Sequence, residues 1–459
     1  MNVSAVLLCL APTVLCLPAR AQGGKPQSED AQHPDEGGRA HQKKTLLSEA
    51  QEGDVHAQRR LAYRYYTGGS PADLFEPDFN EAAKWFKLAA SQGDAQAQFH
   101  LSMMYYEGRG LATNYSEAGS LLRLSADQGY APAQAQLGGR LGGAKGIALL
   151  RLSAEQGNSL GARWLGESYE SGLRVPLSFK EALKWYRVAA ETRDRDGYLA
   201  MTRLGEMYLA GEQVPRDVEQ GISLLNSATS ADVSAIATLA RLYETGEYTH
   251  FVFSPEGIKR YDAQGLVPVD YGKALRYYER ASYYGHETSA KKAGDLYMKG
   301  ARRESPQLVG RASYGRAIKE YRVAAILGNL EAQIKLGEMY RDGLGVPQDY
   351  IQAYVWFNVA GSERPRNALL SLMTTEQVAR GQRVSRQLDE MVDWLGIQER
   401  LDRLKSSYTF VIKERRAFIE DQNRRTREVF DQLLGGLPDG EDKKSARSTS
   451  LDLAAGTSV

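Results

Sequence analysis

One register recurs along this chain, and it constrains the fold more than any other feature. Ala332, Leu336, Tyr340 and Gly343 follow one another at spacings of 4, 4 and 3 residues. The same spacing returns at Ala57-Leu61-Tyr65-Gly68, Ala97-Leu101-Tyr105-Gly108, Ala200-Leu204-Tyr208-Gly211 and Ala235-Leu239-Tyr243-Gly246. Two units vary the early positions, Gly161-Leu165-Tyr169-Gly172 and Ser289-Ala293-Tyr297-Gly300, and one, Ala133-Leu137-Leu141, lacks the closing glycine. Residues four apart share one face of an α-helix, so small, Leu and Tyr make a stripe for a neighbouring helix. Glycine three residues on is a helix C-terminus, where a left-handed conformation costs no Cβ clash. A second stripe follows in most units, as in Ala82-Trp85-Phe86-Ala89, Ala182-Trp185-Tyr186-Ala189, Ala274-Tyr277-Tyr278-Ala281 and Ala353-Trp356-Phe357-Ala360. Each unit therefore reads as a helix–turn–helix hairpin, and about eight of them fill residues 45–363. The expected class is all-α, an α-solenoid in which each unit touches only its neighbours.

The last unit carries the pattern most fully, with Ala332-Gln333, Leu336-Gly337, Met339-Tyr340, Gly343, Gly345-Val346-Pro347, Asp349-Tyr350, Ala353 and Trp356-Phe357. This set of positions resembles the Sel1-like repeat family, a relative of the tetratricopeptide fold. The resemblance implies a right-handed solenoid and a non-enzymatic adaptor that holds other proteins. Some members of that family are cysteine-rich and were described as penicillin-binding hydrolases; their paired cysteines are absent here.

Two units depart from the register. The third is short and glycine-rich (Gly138, Gly139, Gly142, Gly143, Gly146), which predicts a shortened hairpin and a local irregularity. The sixth carries an insertion, 247–270, in which Tyr248–Phe253 and Ile258–Tyr261 flank Pro255-Glu256-Gly257. Strand-prone residues around a turn predict a small β-hairpin. An aromatic loop on a solenoid is a candidate partner site, so Tyr248, His250, Phe251, Phe253 and Tyr261 are its expected residues. Arg302 to Arg311 in the seventh unit reads as a basic, solvated loop.

The ends differ from the array. Val3 to Leu17 is apolar and leads to Ala19-Arg20-Ala21, a secretory signal with expected cleavage after Ala21. Leu15 stands before Cys16 where a lipoprotein site takes a small residue, which argues against lipidation. Both cysteines of the sequence, Cys9 and Cys16, fall inside this signal, so the mature chain has no disulfide or thiol chemistry. Residues 22–44 are polar and read as a linker. Beyond the repeats, 364–434 reads as a helical cap or extension and 435–459 as a disordered tail. Ile397, Leu401, Leu404, Tyr408 and Val411 form a short heptad-like stripe, and 397–411 is the expected segment for weak self-association. Arg415, Arg416, Arg424, Arg425 and Arg427 give the extension a basic side.

Enzyme motifs occur only out of context. Gly157-Asn158-Ser159-Leu160-Gly161 matches a nucleophile elbow, which requires a preceding strand, but helical register flanks it on both sides. Ser289-Ala290-Lys291-Lys292 matches the serine–lysine pattern, yet Ser289 occupies a small packing position. The six histidines lack metal-site spacing, and no metal or cofactor is expected. With 58 Lys and Arg against 57 Asp and Glu, the chain lacks the basic excess of a nucleic-acid binder. The expectation is an exported scaffold, periplasmic or secreted, that binds an envelope, secretion or signalling protein, with no membrane span in the mature chain. The alternatives are a hydrolase acting on peptidoglycan or a β-lactam, and a eukaryotic luminal quality-control adaptor or secreted host-interaction factor. The sequon Asn114-Tyr115-Ser116 bears on the last.

Overall fold

A computed structural model describes residues 36–68, 76–173, 175–211, 214–254, 257–308, 310–386 and 388. For 36–42, 250–254, 257–259 and 261 the backbone alone is described. The signal at 1–21, most of the linker, the stripe at 397–411, the arginines beyond it and the tail at 435–459 lie outside the described residues. The molecule is an all-α solenoid with one β-hairpin set into it. Its described residues fall into two compact units, the first ending at Glu320 and the second beginning at Tyr321.

In the first unit α1 (Glu36–Gln51) precedes the hairpins α2 (Val55–Thr67) with α3 (Phe79–Ser91) and α4 (Ala95–Glu107) with α5 (Tyr115–Asp127). The third hairpin is α6 (Ala131–Leu141) with α7 (Gly143–Glu155), and the fourth α8 (Ser159–Ser171) with α9 (Phe179–Ala190). Then come α10 (Arg195–Ala210) with α11 (Val218–Ala228), and α12 (Val233–Thr245) with α13 (Tyr271–Tyr283). After α14 (Glu287–Met298), α15 (Tyr314–Ile326) carries the chain into the second unit. There α16 (Leu330–Asp342) pairs with α17 (Tyr350–Val359), followed by α18 (Glu363–Leu370) and a helical stretch over 375–386. The expected linker 22–44 is therefore helical from Glu36. Leu46 and Ala50 of α1 bury against Ala57 and Leu61, and once that packing holds one end, the helix extends at one hydrogen bond per residue.

Local chemistry sets the helix ends. Asp54, Asp94, Asn158, Asp194 and Asp232 accept from backbone amides at the starts of α2, α4, α8, α10 and α12. Asp78, Asn114, Ser178, Asp217, Asp270 and Asp349 do the same for the second helices of their hairpins. In several hairpins the two helices approach closely because the first lacks a Cβ at the crossing. A Cβ on Gly166 would stand 2.9 Å from the Tyr186 ring, and one on Gly337 2.6 Å from the Phe357 ring.

Successive hairpins are joined in two ways. In the first three, the Gln after the register Ala is buried and reaches back. Gln58 Nε2 donates to Ala50 O at 3.0 Å, Gln98 Nε2 to Ala90 O at 3.3 Å and Gln134 Nε2 to Ala126 O at 3.4 Å. Each of these glutamines also accepts at 2.8 Å from Gln92, Gln128 or Gln156 respectively. Each of these helix-terminal carbonyls also accepts from the amide of the turn glycine, Gly53, Gly93 or Gly129, so the glutamine supplies its second bond. The same bond recurs in the second unit, from Gln333 Nε2 to Ala325 O at 3.0 Å. Other joints use the register tyrosine. Arg151 of α7 donates to the Tyr169 hydroxyl of α8 at 2.6 Å, and Arg187 of α9 to that of Tyr208 in α10 at 2.6 Å. In the second unit Arg322 does the same to Tyr340. Tyr65, Tyr105 and Tyr243 are only half-buried, whereas Tyr169, Tyr208, Tyr297 and Tyr340 are buried.

The third hairpin is shortened as expected, and its glycines are used. Gly142 alone joins α6 to α7, at φ 63° and ψ −168°, a conformation essentially confined to glycine. A Cβ on Gly146 would meet Gly138 O at 2.5 Å, and one on Gly139 would meet the Trp164 ring at 2.3 Å. Gly139→Ala should therefore destabilise the fold by about 1–3 kcal/mol, and adding Trp164→Leu should recover much of that loss in urea unfolding; equal losses in the single and double variants would contradict the clash. Tyr340→Ala should cost roughly 3–5 kcal/mol and Tyr340→Phe about 1 kcal/mol, the difference separating ring packing from the Arg322 bond.

Candidate functional site

The inserted segment folds as the sequence predicts. β1 (Tyr248–Ser254) and β2 (Gly257–Ala263) pair antiparallel, from Tyr248 opposite Ala263 to Ser254 opposite Gly257. The pair is set on α8, α10 and α12, the first helices of three successive hairpins. Its root is fixed by Tyr248, which is 2% exposed and packs among Leu209, Ala210, Leu225 and Leu239. The Arg241 guanidinium lies over the Tyr248 ring at 5.5 Å, and Arg241 donates to Thr249 O at 3.1 Å. Tyr248 thus anchors the hairpin instead of projecting from it. The backbone register places His250 opposite Tyr261, Phe251 opposite Arg260 and Phe253 opposite Ile258. The side chains of His250, Phe251, Phe253 and Tyr261 lie outside the described residues.

Beside this root, α8, α10 and the start of α12 enclose a cleft of about 290 Å³ whose walls are mostly charged. Glu170 accepts twice from Arg203, at 2.5 and 2.9 Å, and once from the Tyr186 hydroxyl at 2.6 Å. Arg203 also reaches Glu206 at 3.3 Å. Arg163 bridges Glu167 and Asp196, the latter at 2.7 Å. Thr202 donates to Asp232 at 2.6 Å, as does the Ser234 hydroxyl. Burial raises the carboxyls of Glu206 and Asp196 above the usual range, against the pull of the neighbouring arginines.

The cleft is one version of a recurring joint that register reasoning did not pick out. Arg203 stands one residue before the register Leu of its helix, and Glu170 one residue after the register Tyr of the preceding unit. Two units later Lys292 and Glu244 hold the same places, with Lys292 Nζ 3.5 Å from Glu244 and the Tyr278 hydroxyl donating to Glu244 at 2.6 Å. The legible signal was the alternation of opposite charge at those two offsets. In α4 the cation's place is taken by His100, stacked on Phe86 at 5.2 Å with Tyr63 edge-on. Burial there, with Arg59 adding, pushes the imidazole down to about 4.

The two serines of the enzyme motifs are both buried in contacts at helix starts. Ser159 is buried at the first turn of α8 and donates to Asp194 at 2.6 Å. Ser289 is buried in α14 and hydrogen-bonded to His286 Nδ1 at 2.8 Å, the side chain that caps that helix. Nor is the basic loop simply solvated, since Arg303 pairs with Glu279 at 2.7 Å.

The sequence model of the Sel1 repeat matches residues 55–94, 95–130, 131–158, 159–191, 199–233, 260–286 and 330–363, half of the chain. The chain belongs to the Sel1 repeat family. Sel1 repeats in general mediate protein–protein interaction, and the proteins built from them are typically non-enzymatic scaffolds. The hairpin of α14 with α15 lies outside the matched segments yet keeps the Sel1 register through Ser289, Ala293 and Tyr297. Among solved structures, a protective antigen present in uropathogenic Escherichia coli strains and displaying an SLR fold superposes with a TM-score of 0.53 at 26% identity, over 79% of this chain and 74% of that one. An uncharacterized protein of Neisseria meningitidis is 27% identical over 168 residues, 37% of this chain and 27% of its own length. DAP3-binding cell death enhancer 1 of Rattus norvegicus is 45% identical over 64 residues, 14% of this chain and 13% of its own. The chain thus spans about a quarter of the first of these relatives and less of the second.

Two titrations follow from this geometry. His100 is held neutral, so its contribution is complete above pH 6.5 and is lost as pH falls towards its folded value of about 4. By NMR its ring should titrate near 4, and a midpoint near the ordinary 6.5 would contradict its burial among rings. Glu320 accepts from Ser282 at 2.8 Å, and burial pushes its carboxyl up to about 7, with the Glu279 charge adding. A raised folded value means the proton is bound more tightly in the fold, so this contribution is complete below 4.5 and is lost as pH rises through about 7. Glu320→Gln should raise Tm at pH 8 and leave it nearly unchanged at pH 4.

Proposed function

We propose that this Sel1 protein is an exported scaffold, acting in the periplasm or secreted, that binds an envelope or secretion protein along the first-helix face of its repeats. The observation that carries the reading is the β-hairpin insertion set on α8, α10 and α12 beside an open, charged cleft. Repeat packing does not require either feature. A stacked array offers a long surface between repeats, and a loop that departs from the register on that surface is where partner contacts are favoured. The export half of the reading rests on the apolar run before Ala19-Arg20-Ala21. The description of the E. coli neighbour as a protective antigen fits a chain displayed outside the cytoplasm. No observation favours the hydrolase alternative, because both motif serines are buried in helix-start contacts.

In-cell crosslinking of a C-terminally tagged copy, followed by mass spectrometry, tests the reading. A reproducible envelope or secretion partner should be captured, and removing residues 250–261, which leaves the buried Tyr248 and Ala263 in place, should abolish its capture while the rest of the chain stays folded. Recovery of bulk protein alone, unchanged by the deletion, would count against a scaffold that works through this face.

A further inference from the structure

We propose that Leu88, Leu124 and Leu152 form a docking ladder on the second-helix side of the first three hairpins, and that its occupant is the apolar stripe of residues 397–411 from a second copy of this chain. The three leucines hold one register position, the residue before Ala89, Ser125 and Ser153 in α3, α5 and α7. They are 47%, 52% and 48% exposed. Repeat packing does not call for leucine there, because the same position is Ser227 in α11 and Arg280 in α13, both exposed. Single apolar residues are scattered over any protein surface, but a row at one level of three successive second helices is an ordered strip. Trp85 and Leu149, three residues before Leu88 and Leu152, are half-buried and widen it.

Spacing identifies the occupant. Successive hairpins stack about one helix diameter apart, about 10–12 Å, and seven residues of helix rise about 10.5 Å. A helix laid across α3, α5 and α7 therefore needs an apolar residue every seven positions. The chain carries such a sequence beyond its described residues. Ile397, Leu404 and Val411 are seven apart, with Leu401 and Tyr408 between them on the same helical face. Charge supports the same pairing. Asp127 and Glu155 are exposed one turn beyond Leu124 and Leu152, on the same face of their helices. Arg400 and Lys405 flank the stripe of the arriving helix, three and four residues from its members. In a two-fold dimer each copy gives its stripe to the other's ladder, so the contact is made twice. The first-helix face proposed above for the scaffold's partner is left open.

Analytical ultracentrifugation of the purified full-length chain over a concentration series tests the assignment. The chain should sit in a monomer–dimer equilibrium. Leu124→Lys on the ladder and Leu404→Lys in the stripe should each raise the dissociation constant at least about tenfold, with unchanged circular dichroism. Mixing the two variants should restore part of the association, because the stripe of one and the ladder of the other are both intact. Ser227→Lys, at the same register position in α11, should leave the equilibrium as it is. A chain that stays monomeric at every concentration, a dimer indifferent to either leucine variant, or a mixture no more associated than its components would overturn the assignment.

Discussion

The close approach of the two helices in each hairpin is the constraint on which the rest of the molecule depends. It exists because the residue after the register Leu is small and buried, Ala62, Ser102 or Ala240 in some hairpins and a glycine with no Cβ at all in others. At Gly166 and Gly337 the facing group is an aromatic ring, Tyr186 and Phe357, and at Gly205 it is Leu225 with the Gly221 carbonyl. With the rings seated there, the small–Leu–Tyr stripe of the first helix is buried, and the register tyrosine is left with its hydroxyl at the seam with the hairpin before it. The arginine following the second-helix ring, Arg187 or Arg322, then lies within reach of that hydroxyl. Packing inside a unit thus sets the polar contact between units.

That order of causes explains why variation concentrates at the seams. The ring positions and the glycines opposite them cannot change singly without a clash or a cavity. The residue before the register Leu and the residue after the register Tyr face only one neighbour, and they carry a stacked histidine in one joint, an Arg–Glu pair in another and a Lys–Glu pair in a third. The charged cleft is such a seam left open. The hairpin of β1 and β2 is planted next to it through Tyr248, so an element foreign to the repeat is held by the repeat's own core.

The fold was legible in the sequence to an unusual depth because a period repeated many times averages away local ambiguity. The register tyrosines, the turn glycines, the shortened third hairpin and the β-hairpin are all readable from spacing and residue type. The start of α1 was not, because Glu36 to Lys44 is polar and its helicity is inherited from Leu46 and Ala50 downstream. The candidate site was legible only in part. Aromatic residues in the insertion drew attention to Tyr248 as a contact residue, yet burial at the hairpin root makes it an anchor. The cleft residues went unnoticed because each looks like an ordinary surface charge in its own helix. Their meaning depends on pairs such as Glu170 and Arg203, 33 positions apart, that only stacking brings together.

The two kinds of joint in the first unit differ in one further respect. The Gln58, Gln98 and Gln134 ladder is built from neutral amides and backbone carbonyls and has nothing to titrate. The joints at Glu170 and Glu244 are charge pairs. Dissolved salt therefore reaches the two kinds of joint differently: an amide-to-carbonyl bond carries no net charge to screen, whereas the partly exposed Lys292–Glu244 pair weakens as counter-ions gather around it.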